Sequence, residues 1–130
     1  MNNNIKLWTC PNCGCNYEEP TFRCINCGFD KSYKVITVLG STKFRKEINE
    51  WAWEKTKKGY LVLTAPFAKE EIPELENYRV LLEGIHYQKI RICDIVFVFN
   101  KDLYIGESTN QEIQYAIELE KEIKYLSDEK

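Results

Sequence analysis

The chain has 130 residues, of which 44% are hydrophobic and 29% charged, as in globular proteins that bury a core. Eighteen Lys and Arg residues against 20 Asp and Glu residues give a net charge of -2. Proteins that bind phosphodiester backbones usually carry a basic excess, so we do not expect a nucleic-acid partner. With no apolar run of about 18 residues and no signal-peptide pattern at the start, we expect a cytoplasmic protein without a membrane partner.

Two C-x-x-C-G motifs lie near the start of the chain, with ten residues between the second cysteine of one and the first of the other. Each motif can turn around a metal because its glycine permits a positive φ. Four thiolates form the tetrahedral set that structural zinc prefers. Two disulfides are the alternative, which a cytosolic location disfavours. We therefore predict a zinc ribbon over residues 1–33, with a short hairpin between the motifs and four ligands: Cys10, Cys13, Cys24 and Cys27.

A fifth cysteine, Cys15, lies between the two motifs. Four ligands suffice without it, so we interpret it as a bystander or as a substitute for Cys13. A segment this short buries too little apolar surface to fold alone, and zinc would supply the missing free energy. Residues 1–34 contain four basic and three acidic residues, before the thiolates are counted. This balance favours docking or stabilisation over DNA recognition as the role of the ribbon.

The first half of the remaining segment, residues 34–130, alternates strand and helix patterns. The β-branched run at 35–39 predicts a strand buried on both faces. Ser41 and Thr42 offer N-cap oxygens for a helix to about Lys58, which has Phe44, Ile48 and Trp51 on its inner face. A second strand is predicted at 60–64.

The second half repeats this alternation after a segment at 66–76 that is rich in proline and glutamate, which predicts a loop or a broken helical turn. We predict a helix at 78–93, a strand at 95–99, a loop at 101–107, a helix at about 108–121 and a short strand at 123–126. The inward residues of the two helices are predicted to be Tyr78, Leu81, Leu82, Ile85 and Ile92, then Ile113, Ala116 and Ile117. Strands separated by helices indicate an α/β fold with an open parallel sheet and helices on both faces.

Open parallel sheets bind ligands beyond the carboxyl ends of their strands. This rule places the candidate site at Gly40 to Lys43, after the first strand, and at 100–112, after the third. At Gly40-Ser41-Thr42 the chain enters a helix, where free N–H groups and the helix dipole favour an anion, with Lys43 or Arg45 adding charge. A plain helix cap explains the same pattern.

Two titratable residues are expected at this end of the sheet. Glu112 is predicted in the first turn of the last helix, where the dipole keeps a carboxylate ionised and suited to attack a sugar carbon. The spacing from Thr109 to Glu112 is also that of a capping box. His86 precedes Asp94 by eight residues, or about 12 Å along a helix antiparallel to the strands, which predicts it near Glu112 or as a packing residue. Asp94 precedes its strand and is expected to be structural.

Four stretches of the sequence, taken together, match a known pattern: V-L-G-S-T-K-F at 38–44, I-H-Y-Q-K-I at 85–90, D-I-V-F-V at 94–98 and Y-I-G-E-S-T-N-Q-E-I-Q-Y-A at 104–116. They resemble the nucleoside 2-deoxyribosyltransferase-like superfamily, in its small bacterial and phage-borne branch. The resemblance covers about residues 34–126 and excludes the ribbon. The last stretch is the most specific of the four.

The resemblance implies a flavodoxin-like fold and cleavage or transfer of the N-glycosidic bond of a nucleoside or nucleoside 5′-monophosphate. In this superfamily a glutamate at the start of the last helix attacks the anomeric carbon, and Glu112 matches it. The substrate-binding residues would be Gly40, Ser41, Thr42, Lys43, Phe44, Gly106, Ser108 and Thr109. The resemblance also implies a homodimer.

One position departs from the superfamily pattern. His86 stands where characterised members carry an aspartate that contacts the base or assists proton transfer. A histidine can donate a proton to a leaving base at neutral pH, so His86 is a second candidate catalytic residue. The departure equally favours an alternative function, a nucleotide-binding or sensing module without catalysis. A nucleic-acid-associated accessory protein that uses the ribbon is a third hypothesis, which the net charge disfavours.

Overall fold

The structure is a computed structural model that describes residues 5–65 and 71–129. Residues 66–70 of the predicted segment at 66–76 therefore lie outside the described residues, and its end enters a 3-10 helix (Pro73–Tyr78). The chain divides into two compact units, Met1–Ser32 and Tyr33–Lys130, one residue earlier than the boundary expected from sequence. Within the described ranges, no helix combines the length and apolarity needed to cross a membrane.

The first unit is built from two similar turns. Strand β1 (Leu7–Thr9) pairs antiparallel with β2 (Asn16–Glu18) around the first cysteine motif, and an isolated bridge closes the second motif. The hairpin was expected between the motifs, and this prediction was wrong. Gly14 and Gly28 have φ of 82° and 80°, so each motif reverses the chain and the segments on either side of it pair with each other.

The second unit contains a four-stranded, fully parallel sheet in the order β4-β3-β5-β6. Three helices connect its strands, as the alternating sequence pattern predicted. The strands are β3 (Val35–Leu39), β4 (Leu61–Leu63), β5 (Ile95–Val98) and β6 (Glu122–Tyr125), and the helices are α1 (Arg45–Lys57), α2 (Arg79–Ile92) and α3 (Glu107–Glu118).

The central strands β3 and β5 are buried on both faces, because alternate side chains point into two separate apolar clusters. On one face Val38 and Phe97 pack with Ile48 of α1. On the other face Val96 and Val98 pack with α2 and α3, whose buried residues are Ile90, Ile113 and Ala116. Helices therefore flank the sheet on both sides.

The outer face of α2 differs from the prediction. Four of its five supposed inward residues are exposed, with Tyr78 at 53%, Leu81 at 59%, Ile85 at 43% and Ile92 at 58%. The physical reason is that Leu82 and Ile85 line a cavity together with polar residues of α2, so an apolar count cannot separate the cavity side of this helix from its solvent side. Ile117 of α3 was also expected inside and is 51% exposed.

The strand order changes direction between β3 and β5, since the chain passes from β3 out to β4 and then returns to β5 and β6. The loops that leave β3 and β5 therefore diverge and leave a crevice between them. Gly40 starts the first of these loops. A Cβ there would lie 3.2 Å from both Phe99 Cβ and Ile48 Cδ1, so any larger residue would require these neighbours to move by a few tenths of an ångström.

Candidate functional site

A cavity of about 810 Å³ opens at the carboxyl ends of the strands, at the crevice between the loops that follow β3 and β5. This volume suits a ligand of nucleotide size. Eight of the ten residues predicted to act on or bind a substrate line it: Gly40, Ser41, Thr42, His86, Gly106, Ser108, Thr109 and Glu112.

The other two predicted residues, Lys43 and Phe44, lie outside the cavity lining. Phe44 belongs to the buried core because the chain after Ser41 coils into a 3-10 turn (Thr42–Phe44) that tucks this ring inward. The Lys43 ammonium lies 3.3 Å from the ring centroid of Tyr104, and Tyr104 itself lines the cavity. Lys43 is thus placed to support a wall residue.

Glu112 and His86 meet in this cavity. His86 Nε2 lies 2.8 Å from Glu112 Oε2, and each side chain is only 15% exposed. Ser108, one turn earlier on α3, places its Oγ 3.5 Å from Glu112 Oε1. Because His86, in α2, precedes Asp94 by eight residues, it lies at the same end of the sheet as Glu112, as predicted. Asp94 lies at the opposite end, where Oδ2 accepts the Val35 N–H at 2.8 Å, as expected of a structural residue.

The two nitrogens of His86 have different surroundings. Because a carboxylate only accepts, His86 Nε2 is the nitrogen that carries the hydrogen in this contact. His86 Nδ1 is buried and has no hydrogen-bond partner among the described residues. The neighbouring Tyr87 has a raised pKa, caused by burial and by the charges of Glu112 and Glu83, so it is a neutral phenol beside the pair.

Helix α3 begins earlier than the sequence indicated. Gly106 is its N-cap, and the first helical bond runs from the Asn110 N–H to the Gly106 carbonyl at 2.9 Å. Glu112 therefore lies in the second turn, and the capping-box explanation was wrong because Thr109, not Glu112, is the third helical residue. The dipole is also weaker there, since its effect fades beyond the first turn. The N–H groups of residues 107–109 precede that first bond.

Several cavity residues were missed by the sequence analysis. Lys89 lies in the lining and donates from Nζ to the Thr64 carbonyl at the end of β4, at 2.8 Å. Arg79, Leu82 and Glu83 also line the cavity. Along α2 the lining positions 79, 82 or 83, 86 and 89 are three or four residues apart, which is the spacing of one helix face. Extending that face outward from His86 would have found them.

The four motif cysteines form a second candidate site, in the first unit. Their sulfur atoms all lie within 4.8 Å of one another, with Cys10 and Cys27 Sγ 3.7 Å apart and Cys13 and Cys24 Sγ 3.5 Å apart. A tetrahedral ion with bonds of about 2.3 Å sets its sulfur ligands about 3.8 Å apart. The four residues named from spacing therefore fit a tetrahedral metal ion.

Groups around the four sulfurs also suit a metal site. The Tyr17 hydroxyl lies 3.2 Å from Cys24 Sγ and accepts the Asn26 N–H at 3.1 Å. Hydrogen bonds, first from the Asn26 side chain, lower the pKa of the Cys13 thiol to about 6, which favours a thiolate ligand. Cys15 is not among the four clustered residues, and its backbone carbonyl accepts the Cys10 N–H at 2.8 Å.

Comparison with known proteins adds no assignment, because no protein-family model matches the chain and no curated protein matches it. The resemblance to the nucleoside 2-deoxyribosyltransferase-like superfamily therefore stays a prediction that rests on the four stretches quoted above.

Proposed function

We propose that the second unit cleaves or transfers the N-glycosidic bond of a nucleoside or nucleoside 5′-monophosphate, with Glu112 as the nucleophile. One observation carries this proposal: an almost enclosed carboxylate, held by a histidine at 2.8 Å, lines a nucleotide-sized cavity at the carboxyl end of a parallel sheet. The order β4-β3-β5-β6 is also that of flavodoxin-like sheets, which bind ligands at this switch point.

The two oxygens of Glu112 suit different tasks. Oε2 is bonded to His86 at 2.8 Å, whereas Oε1 has only the long contact of 3.5 Å to Ser108 Oγ. Oε1 is therefore the oxygen that attacks the anomeric carbon. As its bond to carbon forms, the C–N bond breaks and its electron pair leaves with the base. Water or a second base then releases the sugar from Glu112.

The start of α3 supplies groups for the rest of the substrate. The backbone N–H groups of residues 107–109 precede the first helical bond, and a helix N-terminus of this kind accepts phosphate or sugar oxygens. Ser41 and Thr42 line the same cavity from the loop after β3. We assign the sugar and any 5′-phosphate to this space.

The test is chromatography of a panel of ribo- and deoxyribonucleosides and their 5′-monophosphates after incubation with the full chain. Glu112→Gln is expected to reduce release of free base by roughly 1,000-fold or more. Glu118→Gln is the matched control, because Glu118 is exposed on the same helix and is absent from the cavity lining. Full activity in Glu112→Gln would refute the assignment of the nucleophile.

A second candidate function is nucleotide binding without turnover. Both oxygens of Glu112 have a partner, which favours a carboxylate that shapes the cavity and does not attack. In this case nucleotides raise the melting temperature of the protein while the same panel yields no free base. Free base in excess of the Glu112→Gln background would reject this alternative.

We propose zinc as the ion held by Cys10, Cys13, Cys24 and Cys27, in a structural role. Four thiolates leave no open position on a tetrahedral ion, which separates structural from catalytic zinc sites. When bound, the ion crosslinks the two turns and supplies folding free energy to a unit with a small core. Elemental analysis of the purified chain is expected to give one zinc per chain, and another metal or none would refute this.

We propose further that the second unit pairs with a second copy through the outer face of α2. Leu81 and Ile92 are 59% and 58% exposed and lie eleven residues, or three turns, apart, on one face of α2 that can pack against another helix. Light scattering is expected to give the mass of a dimer, and Leu81→Lys the mass of a monomer. A monomeric unmodified chain would contradict the proposal.

A further inference from the structure

In the proposed reaction the departing base keeps the electron pair of the broken C–N bond and needs a hydrogen-bond donor to stabilise it. His86 is poorly placed to be that donor. Nε2 of His86 is bonded to Glu112 at 2.8 Å. Nδ1 is inaccessible to solvent and lacks a partner among the described residues. Neither nitrogen can contact the base while this pair is intact, so another donor is needed.

Lys89 lines the same cavity as Glu112 and His86 and is the candidate for this donor. It lies three residues after His86 on the same face of α2, is half-buried, and lines the cavity. One hydrogen bond, from Nζ to the Thr64 carbonyl at 2.8 Å, fixes the ammonium group beside the end of β4. A lysine ammonium has three N–H donors, and two of them have no partner in the part of the chain that the structure describes.

Arg79 also lines the cavity and is always charged, but it is less suited to contact the base. Its side chain is 71% exposed, and its Nε lies 3.5 Å from Glu76 Oε1. It stands at the start of α2, three turns before Lys89. Arg79 therefore belongs to the mouth of the cavity, whereas Lys89 lies deeper in it.

We propose that Lys89 donates a hydrogen bond to a carbonyl oxygen of the base and thereby selects bases that carry an oxygen over those with an amino group at that position. This inference rests on the proposed function. A lysine ammonium has donors and no acceptor, so it matches a carbonyl oxygen and opposes an exocyclic amine. The substrate class is then the nucleosides of oxo-bases.

The same contact assists the reaction. When Glu112 Oε1 bonds to the anomeric carbon, the electron pair of the broken C–N bond stays on the base and is delocalised onto its carbonyl oxygen. The Lys89 hydrogen bond strengthens as this negative charge develops, which is the property of an interaction that lowers the barrier. The departing base then takes its proton from water, and Lys89 keeps its own.

Inosine and adenosine, or their 5′-monophosphates, form the matched test because they differ in an oxygen against an amino group on the same ring. We expect the unmodified chain to favour the oxo compound at least about tenfold in kcat/KM. Lys89→Met is expected to lower the value for inosine by roughly 10- to 100-fold, and that for adenosine by less than about threefold. Lys89→Arg keeps a charged donor and is expected to retain the preference.

Lys46→Met is the matched control, since it removes an exposed lysine of α1, on the other face of the sheet, and is expected to leave the preference unchanged. Melting curves of each variant report whether the loss of the Thr64 contact disturbs the fold. An inosine-to-adenosine ratio that is the same with and without Lys89, or a preference for adenosine, would overturn the inference.

Calorimetric binding of the same two compounds to the Glu112→Gln protein separates this inference from the proposed function. If no base is released but binding favours inosine and Lys89→Met removes the preference, the inference about Lys89 holds and the proposed reaction fails. If base is released and Lys89→Met leaves both preferences intact, the reaction holds and the inference fails. Absence of binding and release for every compound refutes both.

Discussion

His86 has two possible roles, to orient Glu112 and to protonate the base. Substitutions of His86 distinguish them. The 2.8 Å contact joins two side chains that are each only 15% exposed. A hydrogen bond to a charged group in such a place contributes about 1.5–3 kcal/mol. If this free energy holds Glu112 in its attacking orientation, His86→Ala lowers kcat/KM by roughly 10- to 150-fold.

His86→Gln decides between the roles. Its side-chain amide can donate a hydrogen bond to Glu112 but cannot transfer a proton to a base. We therefore expect His86→Gln to recover much of the activity lost in His86→Ala, measured as kcat/KM for release of the base. In the Glu112→Gln background, the further loss caused by His86→Ala is expected to be smaller, because the two residues act as a unit.

Two results would refute this reasoning. If His86→Gln is as inactive as His86→Ala while both proteins melt like the unmodified chain, His86 transfers a proton and the orienting role is wrong. If His86→Ala keeps full activity, the contact with Glu112 has no part in the reaction. A structural role alone would lower the melting temperature of both variants without the selective recovery by glutamine.

Three further predictions concern stability, each measured by chemical or thermal unfolding of the full chain. Chelation of the metal is expected to unfold the segment at 5–32 while 33–129 keeps its spectrum, because all four ligands lie in the first unit; unfolding of both would contradict this. Gly40→Ala is expected to lower the free energy of unfolding by about 1–3 kcal/mol, because the new Cβ would lie 3.2 Å from Phe99 and Ile48. Gly84→Ala, which has open space around it, is expected to raise it by about 0.5–1 kcal/mol. Equal effects of the two variants would refute the packing argument. Trp51→Ala is expected to cost about 3 kcal/mol, since this ring stacks on Phe97 at 4.1 Å, and Trp53→Ala, 60% exposed, less than about 1 kcal/mol; a larger loss at Trp53 would contradict it.

The order of strands and helices was predictable because each strand of the sheet interior is a short apolar run between breakers. The run at 35–39 ends at Gly40, and the α1 pattern ends at Gly59, whose φ is 94°. Spacing also predicted the four clustered cysteines, since a C-x-x-C-G turn brings its two sulfurs together whatever surrounds it. These features depend on neighbours in sequence, which is why sequence alone was sufficient.

The orientation of α2 was not predictable in the same way. Apolar periodicity identifies the buried side of a helix only if that helix has a single apolar side. In α2 the inner side is divided between Ile90, which is fully buried, and cavity-lining residues that include both polar side chains and the apolar Leu82 and Ile85. The apolar stripe therefore continues onto the exposed side of the helix, and a sequence pattern cannot show that a cavity occupies part of the inner side.

The start of α3 shows a related limit, with a consequence for the site. Ser108 and Thr109 have good N-cap side chains, which suggested a helix that begins with them, yet Gly106 is the N-cap. Glu112 consequently moves from the first turn to the second, where the dipole contributes less. The Glu112 carboxylate is therefore held less by the dipole of its own helix, α3, than by His86 of α2, whose Nε2 lies 2.8 Å from Glu112 Oε2.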